Sequence, residues 1–82
     1  MDTSQAKFSI GQPIHHLLFN YRGVVVDVDL KFQLSEEWYN SVARSRPPKD
    51  KPWYHVLVAD GKGIRHTYVA ECNLEFDPAA LN

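Results

Sequence analysis

Trp53-Tyr54-His55-Val56-Leu57-Val58-Ala59, then Asp60-Gly61-Lys62-Gly63, then Ile64 to Val69, is the stretch that decides the fold. Its first seven residues are rich in β-branched and aromatic side chains, which favour extended backbone. Alternation puts Tyr54, Val56 and Val58 on one side of that strand. Asp60 to Gly63 is a hairpin signal, because glycine takes positive φ without steric cost. Two strands joined by a tight turn therefore organise the C-terminal half. Leu74-Glu75-Phe76 reads as a short final strand, and the tail from Asp77 to Asn82 reads as frayed.

The same texture extends toward the N-terminus. Pro13 to Phe19 is a short apolar-rich run, Asn20 to Gly23 a turn, and Val24 to Asp29 a second strand. A period of two puts Val24, Val26 and Val28 on one face, with Asp27 and Asp29 opposite beside Val25. Pro13 makes the first strand an edge or a late start. Five short strands around a tight hairpin predict an all-β fold, a small five-stranded barrel whose closure removes exposed edges. Between the second and third strands the pattern changes. Ser35 to Arg44 has a plausible N-cap in Ser35, acids Glu36 and Glu37 in its first turn, and Trp38 and Val42 four apart as an apolar stripe. Pro47 and Pro48 stop it. A short helix pinned by Trp38 and a flexible linker are both open readings. The chain reads as a single domain, residues 1–82, with a core over about 7–76 and an insert over about 30–52; Tyr54, Tyr68 and Phe76 are expected in the core.

The 82 residues contain 44% hydrophobic and 23% charged side chains, with a formal net charge of −1. That balance excludes a globally basic nucleic-acid binder. It hides an asymmetry: Arg44, Arg46, Lys49 and Lys51 stand against one acid, Asp50, within eight residues, while the flanking segments are acidic. The cluster suits phosphates or an acidic protein surface, and a solvated loop has the same composition. Arg22, on the first turn, is an additional candidate phosphate contact. Tyr21, Trp38 and Trp53 are candidate protein-interaction aromatics.

Other chemistry is poorly supplied. The longest apolar run, Val56 to Ala59, is far below the roughly 20 residues of a membrane helix. Met1 to Gln12 carries Asp2 and Lys7 and no apolar core, which argues against a signal peptide. Cys72 is the sole cysteine, so no internal disulfide forms, and a reducing compartment, the cytoplasm, is expected. His15 and His16 point to opposite faces of a strand, and His55 and His66 lie on neighbouring strands. No metal-type spacing joins them, and neither a metal nor a cofactor is expected. No nucleophile motif is present, and Cys72 stands between the acids Glu71 and Glu75, away from the cationic setting of a reactive cysteine. The protein reads as a non-enzyme.

Three blocks in order resemble one family. Ile10-Gly11-Gln12, His16 and Tyr21-Arg22-Gly23-Val24-Val25-Val26-Asp27-Val28-Asp29 form the first. Pro52-Trp53-Tyr54-His55-Val56-Leu57-Val58 with Asp60 form the second, and Thr67-Tyr68-Val69-Ala70-Glu71 with Asn73-Leu74 the third. Together they resemble the YccV-like, or hemimethylated-DNA-binding, domain, whose stand-alone bacterial form is a cytoplasmic heat-shock protein. The resemblance implies a five-stranded SH3-like barrel with a variable insert between strands two and three. It implies binding to hemimethylated DNA, with an effect on expression of the replication initiator DnaA. It also implies an alternative, a protein-interaction module that regulates degradation by an ATP-dependent protease. Asn20 stands where the family often has Gly, and Leu30 where it usually has Pro. The insert is the variable part, so the resemblance assigns no role to its basic cluster. A weak patch on so short a chain would gain from a homo-oligomer.

Overall fold

The computed structural model describes residues 6–81. Strands β1 (Pro13–His16), β2 (Arg22–Asp29), β3 (Trp53–Ala59), β4 (Ile64–Ala70) and β5 (Leu74–Phe76) form one antiparallel sheet in the order β4-β3-β2-β1-β5. Helix α1 (Glu36–Val42) lies between β2 and β3, and one 3-10 turn (Glu71–Asn73) joins β4 to β5. The five strands are those the sequence predicts, and of its two open readings of the insert the short helix is the one adopted. Closure is not: the hydrogen-bonded ladder stays open, with β4 and β5 as its two edges. After the 3-10 turn the chain does not return along β4, and β5 pairs with β1 instead.

The core is built from alternate residues of adjacent strands. Ile14, Val25, Tyr54, Val56, Val58, Val69 and Leu74 are buried together, with Phe8 stacked edge-on against Tyr54. The valine pattern of β2 is corrected. Val25, not Val24 or Val26, is the core residue. The pairing steps from Val25↔Val56 to Asp27↔His55, so Val26 is an extra residue in a β-bulge. A strict period of two fails at that point, and Val28 turns back toward the core while Asp27 and Asp29 share the outer face. Gly23 meets the need for close approach: a Cβ there would lie 2.5 Å from the Leu57 carbonyl oxygen.

Two further expectations change. Phe76 is 37% exposed, because β5 is an edge strand with only Leu74 turned inward. The tail is held rather than frayed at its start. Asp77 is buried, its N–H donates to the Pro13 carbonyl, and its carboxylate pairs with Arg22 at 3.2 Å. In the hairpin Gly61 and Gly63 have φ of 87° and 139°, and the Asp60 N–H donates to the Gly63 carbonyl. No helix among the described residues is long and apolar enough to cross a membrane.

Candidate nucleic-acid interface

The insert is ordered by aromatic side chains. Ser35 caps α1, its Oγ accepting from the Trp38 N–H at 3.0 Å. The residue that anchors the helix is Tyr39, 5% exposed, whereas Val42 is 52% exposed. The apolar face is therefore Trp38 and Tyr39 rather than Trp38 and Val42. Both rings join Phe32, Trp53 and Tyr68 in a second cluster with centroid separations of 4.9 to 6.3 Å. Trp53, opposite Ala70, and Tyr68, opposite His55, are diagonal neighbours on the outer face of the sheet, and the insert covers them there.

That cluster suspends the basic loop. The Tyr39 hydroxyl donates to the Pro47 carbonyl at 2.7 Å, and Trp53 Nε1 donates to the Pro48 carbonyl at 3.0 Å. The Phe32 N–H donates to the Lys49 carbonyl at 2.9 Å. Three successive carbonyls of the loop thus hang on three aromatic residues, and the two prolines bring no N–H needing a partner. Arg46 adopts φ of 55° and lays its guanidinium over the Tyr39 ring, with Nη1 donating to Asn40 Oδ1 at 2.8 Å. Lys49 Nζ sits 4.3 Å from the centroid of the same ring and pairs with Glu36. Arg44 and Lys51 are exposed and make no ion pair among the described residues. The loop is a fixed platform carrying two oriented and two projecting cations.

The remaining predicted residues lie elsewhere. Arg22 starts β2, about 20 Å of strand from the insert, and is engaged by Asp77. Trp53 is 1% exposed and offers no surface. Tyr21 is half-buried, its hydroxyl donating to Thr67 Oγ1 at 3.0 Å, and burial raises its pKa. Trp38 is the one of the three aromatics on the insert wall. Tyr39, the organiser of the loop, was not singled out by sequence; its place three residues after the Ser35 N-cap's first turn begins, facing Pro47, is a signal only once the chain is seen to fold back.

The outer face also gathers the carboxylates and histidines. His55 Nε2–H donates to Asp29 Oδ2 at 3.1 Å, the Tyr68 hydroxyl donates to the same oxygen at 2.8 Å, and the His55 and His66 rings stack with Nδ1 and Nε2 3.1 Å apart. Ligand atoms of Asp27, Asp29 and His55 lie within 4.8 Å of one another, a grouping that the β2–β3 pairing assembles and spacing along the chain does not reveal. Asp29 is engaged by His55 and Tyr68, and Asp27 Oδ1 accepts from the Val28 N–H at 2.8 Å. Burial, and then the bond to Asp29, drive the Tyr68 phenol far above its ordinary pKa. Tyr54 is likewise pushed up to about 12 by burial and its bond to Glu71. The adjacent histidines diverge: burial lowers His16, whose Nδ1 accepts from the Leu18 and Phe19 N–H groups, while bonds to Asn20 and Glu75 raise His15.

The family model YccV-like, described as hemimethylated DNA-binding protein YccV like, matches residues 6–81, nearly the whole chain.

Proposed function

Because the chain belongs to the YccV-like family of hemimethylated-DNA-binding domains, we propose that it binds duplex DNA through the loop 44–51 and distinguishes hemimethylated sites. The observation that supports this reading is the platform itself. Arg46 and Lys49 are oriented by Tyr39, and Arg44 and Lys51 project beside them. A pre-ordered loop loses less conformational entropy on binding than a free one. Four cations supply about two to four phosphate contacts, for a salt slope on the order of −2 to −4. With a net charge of −1, affinity per subunit is low, and a homo-oligomer would raise it by avidity. Arg22 serves as an outlying contact only on a duplex that bends around the sheet, since Asp77 holds it at the far end of β2. We place the activity in the cytoplasm, as a binding protein of the stress response with an effect on the replication initiator DnaA.

A second reading, regulation of an ATP-dependent protease, is favoured by the exposed apolar side chains Leu18, Phe19 and Val42.

Titration of one duplex in unmethylated, hemimethylated and fully methylated forms tests the first reading. The wild type is compared with the variant carrying Arg44→Ala, Arg46→Ala, Lys49→Ala and Lys51→Ala, its fold checked by circular dichroism. The expected result is tighter hemimethylated binding, weakened about tenfold or more in the variant, with a flatter salt dependence. Equal affinity for all three forms removes methylation sensing, and an unchanged variant moves the contact away from the loop.

A further inference from the structure

β4 is an edge strand, so half of its backbone N–H and C=O groups face away from β3. Among the described residues no backbone bond outside the β3 ladder reaches Ile64 to Ala70. This edge is not bare. A groove of about 850 Å³ runs along it and is lined by six consecutive β4 residues, 65–70. Consecutive residues on one groove mean that it follows the strand edge rather than either face. One wall is the turn after β1, with Leu18 58% and Phe19 71% exposed. The other is the insert, with Leu34, Trp38 and Val42.

The charge lining the groove has one sign. Arg44 stands on the insert wall and Arg65 at the hairpin end, with His16, His55 and His66 between them, and among the described residues no carboxylate lines it. Asp60 and Asp29 lie behind Arg65 and His55, holding those side chains in place. From Arg65 to Ala70 the edge spans about 17 Å, the length of a five- or six-residue strand.

We propose that β4 accepts an extended peptide by strand addition, and that the peptide is apolar at alternate positions with a carboxylate toward each end. Main-chain bonds to β4 supply the affinity. Leu18 and Phe19 on one side and Trp38 and Val42 on the other receive its alternate side chains, and Arg44 and Arg65 select the acidic ends. The site meets the loop platform at Arg44, Ser45 and Pro47, and it requires neither DNA nor a protease.

The probe is a fluorescent, capped octapeptide with alternating valine and threonine between two terminal aspartates, followed by anisotropy with the full chain. Two controls accompany it: the same peptide with lysine ends, and one N-methylated at alternate amides so that one edge has no donors. The aspartate peptide is expected to bind, the lysine peptide about tenfold more weakly, and the N-methylated peptide not at all. Hydrogen exchange is expected to slow at β4 amides on binding. Arg44→Glu, a surface change checked by circular dichroism, is expected to narrow or reverse the preference for aspartate ends. Absence of binding by the aspartate peptide, or equal binding by the N-methylated one, overturns the proposal. So does peptide-free protection of β4 that grows with protein concentration, which assigns the edge to a second copy.

Discussion

On one face of β3, Tyr54, Val56 and Val58 enter a core closed by β1, β2, β4 and β5. On its other face Trp53 is buried, His55 is half-buried and Leu57 is exposed. The first face is covered along its whole length by the curvature of the sheet. The second is covered only where the insert reaches, by Phe32, Trp38 and Tyr39. A strand can thus serve two cores of different origin. One follows from strand pairing, and the other from a segment that could fold away without breaking a single rung of the ladder.

Trp53 is the residue through which the comparison is most easily broken. Trp53→Ala removes the centre of the outer cluster and is expected to cost about 3–5 kcal/mol in urea denaturation. Ile14→Ala in the inner core should cost about 2–5 kcal/mol. A Trp53→Ala loss no larger than that of a surface change would mean that the insert adds nothing to stability. Trp38→Ala sharpens the point. It should speed exchange of the Tyr39 and Ala43 amides, which donate to Ser35 and Tyr39 carbonyls, while leaving the β2–β3 amides protected. Uniform loss across both would show one cooperative unit rather than two.

Tyr68→Phe deletes a hydroxyl that donates to Asp29 and accepts from the Gln33 N–H. Its expected cost is about 1–3 kcal/mol by thermal or chemical melt. The inner core has a counterpart in Tyr54. Its folded pKa of about 12 lies above the unfolded value of 10. The corresponding stability is complete below pH 10 and is lost as pH rises from 10 toward 12, readable as late phenolate absorbance followed by unfolding. Phenolate from Tyr54 at pH 10 in the folded protein would contradict its burial.

The smallest effect lies in the neighbouring histidines. His16, lowered, contributes stability present above pH 6.5 and lost as pH falls below it; His15, raised, contributes stability present below 6.5 and lost as pH rises. Proton NMR should resolve two midpoints on opposite sides of 6.5. Coincident midpoints would mean that the turn after β1 does not bury His16.

The inner core was largely legible in the sequence because strand periodicity and the Asp60 to Gly63 turn act locally. Tyr54, Val56 and Val58 follow from alternation alone. Val25 did not, because the bulge at Val26 arises from how β2 meets β3. Phe76 did not, because alternation does not tell an edge strand from a central one. The outer cluster was half legible. Ser35, Trp38 and the proline stop point to a helix, but that Tyr39 and Trp53 would hold the carbonyls of Pro47 and Pro48 depends on a fold-back with no local signature. The groove along β4 was illegible, since its walls come from three separate parts of the chain.

The insert leaves at Asp29 and returns at Trp53, and those two residues face each other across one rung. Its ends are therefore already joined by the sheet, and closing a loop there costs an entropy that grows only with the logarithm of its length, about 0.6 kcal/mol per doubling. Segments of very different size can be exchanged at this rung at little thermodynamic penalty. The constraint is chemical instead: any replacement must bring its own aromatic cover, or Trp53 and Tyr68 become an adhesive patch on an otherwise well-behaved surface.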